Sequence, residues 1–181
     1  MIFDQVIAFL KTRSAEQIAH VNGTLLAHLE GTCALLLGWG NPIDLCLAGL
    51  CHTIYGSDGF PVQLLDISQR WELKRMIGPQ AEEFVYFYAS CDRSYLYPQI
   101  KITSPIQFRD RFTGSIFVPD DSLLKSFLEL TFANELELAQ SDPVLVDQTR
   151  TAIAPLFSRC QGLVSDSAFA YFFDVYEVSD R

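Results

Sequence analysis

The chain has few charged residues and few of the motifs that mark a known chemistry. Charged residues make up 19% of its 181 positions and apolar residues 49%, a globular balance that excludes intrinsic disorder. Basic residues are the scarcer sign, and 13 Lys and Arg against 22 Asp and Glu leave a net charge of −9. Affinity for nucleic acid comes from clustered Lys and Arg, so no nucleic-acid partner is expected. The five cysteines (Cys33, Cys46, Cys51, Cys91 and Cys160) are odd in number and contain no Cys-x-x-Cys pair. A disulfide framework or a zinc knuckle is therefore disfavoured, and reduced, buried thiols in a cytoplasmic protein are expected. No uncharged apolar run approaches the ~20 residues of a membrane span. The opening Met-Ile-Phe-Asp-Gln lacks the basic region and apolar run of a secretion signal. P-loop, Gly-x-Gly-x-x-Gly, Gly-x-Ser-x-Gly and His-Glu-x-x-His patterns are all missing. No repeat divides the chain, and at this length one domain over residues 1–181 is expected.

What is present is helical periodicity. Phe3, Val6, Ile7 and Leu10 form one stripe. Ser14 with Gln17 has capping-box spacing for a short second helix ending at His20. Asn22-Gly23 breaks the pattern, and Thr24 is a good N-cap for a helix to about Leu37. Pro42 starts the next, to about Tyr55, and further helices are expected over Asp66–Met76 and Pro79–Cys91. Residues 100–118 read differently. Alternation around Thr113-Gly114 predicts a β-hairpin or extended arm. Helices over about 120–140, Pro143–Arg159 and Ser165–Tyr176 close the chain. The fold class expected is thus all-α in the main, with one hairpin or arm. The late aromatics Phe169, Tyr171, Phe172, Phe173 and Tyr176 are expected in core or interface packing.

The candidate chemistry starts from the histidines, which number three. His28 and His52 each sit on an apolar helix face, and the two helices are joined by a short turn. Antiparallel packing brings such faces together. Asn134 lies on the stripe Leu123, Phe127, Leu130, Asn134, Leu138 and is expected to face inward. Asp92 ends an aromatic-rich helix, where it pairs with Arg93 or with a neighbouring helix. Arg109 and Arg111 alternate with Phe108 and Phe112, so they point to one side of the hairpin. There they either bind a phosphate or carboxylate or form an exposed charged face.

Thr24-Leu-Leu-Ala-His28 and Ala48-Gly-Leu-Cys-His52-Thr53 resemble the opening of the HD superfamily of helical phosphohydrolases. Among well-known members, the alarmone (guanosine polyphosphate) hydrolases are similar. The 24-position interval from His28 to His52, the segment Trp71–Val85 and Ala133-Asn134-Glu135-Leu136-Glu137 carry the resemblance. Together with Tyr55-Gly-Ser and Arg-Asp-Arg-Phe-Thr-Gly, the pattern is similar to an uncharacterised HD-like family of unknown function. The resemblance implies an HD-like helical bundle with its site at His28, His52 and Asn134. It also exposes departures. Thr53 stands where the superfamily has its bridging Asp, Gly56-Ser57 replaces an acidic pair, and Asn134 replaces the last Asp ligand. Two lost carboxylates leave a hard divalent ion poorly compensated.

The expectation is therefore a divergent HD-like domain without the standard metal-dependent activity. It binds a small phosphorylated or carboxylated molecule, with His28 and His52 as acid–base groups. Thr53, Tyr55, Asp92, Arg109, Arg111 and Asn134 are the ligand-binding candidates, and no cofactor is expected. One alternative is a metal-dependent phosphohydrolase acting on a nucleotide-like substrate, with Mn, Fe or Zn. Its ligands would be His28 and His52 with His20, or with Asp58, Asp92 or Glu135. On one helix His20 and His28 would stand ~12 Å apart, too far for one ion, unless the Asn22-Gly23 break folds His20 back. The other alternative is a non-enzymatic helical interaction module, with a homodimer as one assembly.

Overall fold

The computed structural model describes residues 1–21, 23–141 and 143–177. These are mainly helical, with two small antiparallel hairpins. Helix α1 (Ile2–Thr12) buries Val6 and Leu10. Helices α2 (Leu25–Gly38), α3 (Ile43–Cys51), α5 (Pro79–Ser90) and α7 (Asp121–Ser141) form the centre, with α2 packed on α3 and α7, and α3 on α5. Short α4 (Arg70–Ile77) lies on α5, and α6 (Arg93–Leu96) is a single turn. Helices α8 (Pro143–Arg159) and α9 (Asp166–Glu177) pack on α7. There Phe132 stacks on Phe157, and both meet Phe172 edge-on. The late aromatics divide: Phe172 and Tyr176 are buried, while Phe173 is 40% exposed. Among the described residues no helix is long and apolar enough to cross a membrane.

Three expectations need correction. Residues 14–20 form no helix. Ser14 adopts φ 63°, and Ala19–His20 (β1) pairs with Gly23–Thr24 (β2). The reason lies in the start of α2, whose first N–H groups need acceptors outside the helix. Leu25 N–H donates to the Ile18 carbonyl, Leu26 N–H to the Ala15 carbonyl, and Ala27 N–H to the Thr24 hydroxyl as expected of an N-cap. A helix over 14–20 would spend the Ala15 carbonyl on Ala19 N–H and take it from Leu26. Asn22, the other half of the expected break, lies outside the described residues. The second correction is that α3 stops at Cys51, and His52 begins a turn. The third concerns the hairpin, which is real but short. Strands β3 (Phe108–Arg109) and β4 (Ile116–Phe117) pair Phe108 with Phe117 and Arg109 with Ile116. The hairpin is tied to the end of α5 by Asp92 N–H to the Arg109 carbonyl and Arg111 N–H to the Ser90 carbonyl.

Candidate functional site

Two glycines and a short hairpin bring three histidines and a carboxylate into one place. A Cβ on Gly49 would stand 2.5 Å from a Leu36 methyl, so its absence lets α3 settle against α2. His28, one turn into α2, then meets His52 at the end of α3 with ring centroids 5.2 Å apart and nearly perpendicular. Both imidazoles are buried, at 3% and 0% exposure. His20, carried back by the β1–β2 hairpin, stacks on His28 at 4.4 Å with the rings 15° from parallel. A Cβ on Gly31 would stand 2.8 Å from the Glu137 side chain. Its absence lets that carboxylate lie across α2 and accept from His28 Nδ1–H.

Asn134 of α7, buried at 8% exposure, completes the floor. Its Oδ1 lies 3.1 Å from His28 Nε2 and 2.9 Å from His52 Nε2. His52 Nδ1 faces the Gly49 carbonyl at 2.7 Å. Both nitrogens of His52 therefore face acceptors, yet burial first and the neighbouring His28 second push its pKa down to about 3, so it is neutral. A neutral imidazole has one N–H, and the short contact to Gly49 claims it.

Two arrangements satisfy the remaining lone pair. A cation held between His28 Nε2, His52 Nε2 and Asn134 Oδ1 leaves Asn134 Nδ2–H donating to Glu135 Oε1, 3.0 Å away. A rotated amide instead turns Nδ2–H to both imidazoles and its oxygen to Glu135, which must then be protonated. Burial raises the Glu135 pKa, which is compatible with that form. Among the described residues no group of three or more His, Cys, Asp or Glu is placed to hold a metal ion. The third donor of this floor is an amide.

Beside this floor, reaching it through Asn134, is a cavity of about 230 Å³ whose lining includes His20, Thr53, Phe60, Tyr88, Arg93 and Asn134. Thr53 is buried, and its hydroxyl has no hydrogen-bond partner. The same holds for His20 Nδ1 and Arg93 Nε. Burial and the adjacent His28 keep the His20 pKa below the ordinary histidine value. Arg93 donates from Nη2 to the Tyr88 hydroxyl at 2.7 Å and from its backbone N–H to Asp58 at 2.9 Å.

The other expected residues lie elsewhere. The Tyr55 hydroxyl turns to Glu82 at 3.1 Å, and Glu82 takes a two-pronged contact from Arg70. Asp92 caps α6 through Tyr95 N–H and pairs with Arg109 at 2.6 Å, so its partner is the hairpin and not Arg93. Arg109 also covers the Tyr95 ring. Arg111 donates to the Ala89 and Gly56 carbonyls. Each of these arginines is committed to its own partner, so the shared anion face expected on the hairpin does not form. Asp58 likewise meets Arg93 N–H and not the histidines.

Sequence reasoning missed Arg93 and Glu137 as part of this site. Glu137 was detectable, because it stands three positions beyond Asn134 on the same helix and so shares its face. Arg93 gave no such signal.

A larger cavity, about 550 Å³, is separate and lies beside Asn41, Phe84, Lys125, Glu129 and Leu163. Its buried carboxylate, Glu129, accepts from Asn41 Nδ2–H, Ser165 N–H and the Ser165 hydroxyl. Glu129 thus acts as a tie between three segments, fully bonded within the protein.

Residues 9–93 match the family model described as Domain of unknown function (DUF6817). No curated protein and no solved structure matches the chain. The matched stretch is short of half the chain. It takes in His20, His28, His52, Thr53 and Arg93 and stops before Asn134, so both sides of the cavity except α7 fall inside it.

Proposed function

We propose that the chain is a divergent HD-like domain that binds a small phosphorylated or carboxylated molecule in the cavity that Asn134 shares with the His28–His52 pair, without the standard metal-dependent phosphoester hydrolysis. The observation that carries this reading is the floor itself. Two buried imidazoles and an amide converge within 3.1 Å, and all three groups are neutral as ligands. Thr53 and Asn134 stand where the HD pattern would put carboxylates. Any chemistry there is acid–base transfer at imidazole nitrogens. Glu137 orients His28, and the Gly49 carbonyl fixes the tautomer of His52.

The test is thermal unfolding of the metal-free protein against a panel of small phosphorylated and carboxylated compounds. A ligand at 100 times its Kd adds about 2.7 kcal/mol, equivalent to a Tm rise of about 5–10 °C at this chain length. Loss of that rise in His52→Gln supports the reading. A panel with no response refutes it.

His52 favours a second reading, because its two acceptor contacts are also resolved by a bound cation. The donors fit an imidazole-favouring ion of the zinc or ferrous class better than a hard one. The Glu137–His28 contact is the kind of outer partner such a ligand needs. A bound ion would supply Lewis-acid polarisation to an oxygen in the cavity. Elemental analysis of the purified protein separates the readings. One Zn, Fe or Mn per chain, lost in Asn134→Leu, replaces the first reading with the second.

A further inference from the structure

We infer that Arg93, with Thr53 and His20, receives the oxyanion end of a small ligand, and that this ligand is smaller than a nucleotide. The inference rests on the small-molecule reading above and specifies the chemical class.

Arginine is always charged and carries five donors. Arg93 uses only Nη2 among its side-chain donors. Its Nε is buried without a partner, and among the described residues it forms no ion pair. That is unusual in a chain with 22 acidic residues. Glu135 lines the same cavity and is near enough for the Arg93 charge to offset part of the rise that burial causes in its pKa, but it does not pair with it. Arg70 and Arg109, by contrast, each close on a carboxylate within 2.6 Å. Thr53 Oγ1 and His20 Nδ1 are unpartnered in the same wall. A buried polar group with no partner is costly, and three on one cavity mark a place where a ligand restores the missing bonds. An oxyanion matches them: a guanidinium and a hydroxyl donate to it, and His20 donates in the tautomer that places its proton on Nδ1.

Size narrows the class further. About 230 Å³ is below the ~300–1,000 Å³ of pockets that take drug-sized molecules. The cavity thus suits a small carboxylate or free phosphate and excludes a nucleoside triphosphate.

The experiment is titration of the full chain with inorganic phosphate, glycolate and GMP, each read by calorimetry and by the NMR signal of the Arg93 Nε–H. Phosphate or glycolate should bind and move that signal, and GMP should not. Arg93→Met should weaken binding by about 10- to 100-fold, the loss of one charge-assisted contact. Thr53→Val is a milder second variant that retains the charge, and it should weaken binding less. The inference is overturned if both small anions leave the Arg93 signal unmoved, if Arg93→Met binds as the unaltered chain does, or if GMP binds better than phosphate. Loss of binding in His52→Gln with full retention in Arg93→Met would spare the pocket reading and overturn only the role of Arg93. No binding of any small molecule overturns both.

Discussion

The contact between Gly31 and Glu137 makes a prediction whose sign depends on the background in which it is measured. Gly31 sits inside helix α2, where glycine costs about 1 kcal/mol relative to alanine. A Cβ there would meet Glu137 Cγ and Oε1 at 2.8 Å and Cδ at 3.1 Å. All three atoms belong to a side chain that can move, so Gly31→Ala displaces Glu137 and does not break the helix. Displacement loses the acceptor for His28 Nδ1–H, a contact between side chains 2% and 18% exposed. A hydrogen bond to a charged group at such a site is worth about 1.5–3 kcal/mol. Setting the helix gain against this loss, Gly31→Ala destabilises by about 0.5–2 kcal/mol.

Glu137→Ala removes every atom that the new methyl would strike. In that background Gly31→Ala keeps only the helix gain and stabilises by about 1 kcal/mol. The coupling between the two positions is then about 1.5–3 kcal/mol, far outside the additivity expected of independent sites. Urea denaturation of the four proteins measures it. Slopes of about 1–3 kcal/mol/M convert the changes into midpoint shifts on the order of 0.5 M. The reasoning fails if Gly31→Ala has the same sign and size with and without the Glu137 side chain.

Three further outcomes follow from the same coordinates. All five thiols are buried and free, with burial pushing Cys33 and Cys160 to about 12 and Cys46 to about 11, so the native protein should react negligibly with a thiol reagent at pH 8 while the urea-unfolded chain titrates five. The Ser94 hydroxyl, together with Arg109 and the Tyr95 N–H, holds the Asp92 carboxyl below its ordinary value. Its stabilisation is therefore present above the unfolded pKa of about 3.9 and lost as pH falls from there through the lower folded value, so Asp92→Asn, which keeps a capping oxygen but loses the ion pair with Arg109, should flatten the acid limb of a stability–pH curve and cost at most about 1 kcal/mol at pH 7. Glu129→Ala leaves Asn41 and Ser165 without their acceptor and should cost about 2–4 kcal/mol in urea unfolding; an unchanged midpoint would show that the tie is not needed.

The elements readable from the sequence were those fixed by local signals. Thr24 before an apolar run, Pro79 after Gly78, and the turn around Gly114 each specify a boundary through nearby backbone chemistry. The meeting of His28 with His52 was also readable, because a short connection between two apolar faces forces antiparallel contact. The failures share one cause, which is a partner distant in sequence. Ser14 carries a good capping pattern, but the needs of Leu25 and Leu26 eleven residues on override it. Arg109 and Arg111 alternate as strand residues should, yet Asp92 and the carbonyls of Ala89 and Gly56 had already engaged them. Arg93 was read as the neighbour of Asp92. Its side chain leaves that neighbour for Tyr88 and the cavity wall, a choice that only the packing of α5 against the hairpin makes.

The placement of unpartnered groups within the fold supports the proposal that the cavity is a site. Elsewhere the buried carboxylates are matched. Glu82 is held by Arg70 and Tyr55, Asp110 accepts from Tyr86 and the turn that follows it, and Glu129 ties three segments. Around His28 and His52 the same chain tolerates two helical glycines, three stacked or crossed imidazoles, a histidine facing two acceptors, and unpartnered atoms on His20, Thr53 and Arg93. The helical glycines and the unpartnered atoms each cost on the order of 1 kcal/mol or more. Total stability for a domain is only about 5–15 kcal/mol. Thr32 and Tyr97 also carry unpartnered buried atoms, but among the described residues the cavity wall holds three such atoms together, on His20, Thr53 and Arg93, and that grouping supports the small-molecule reading proposed above.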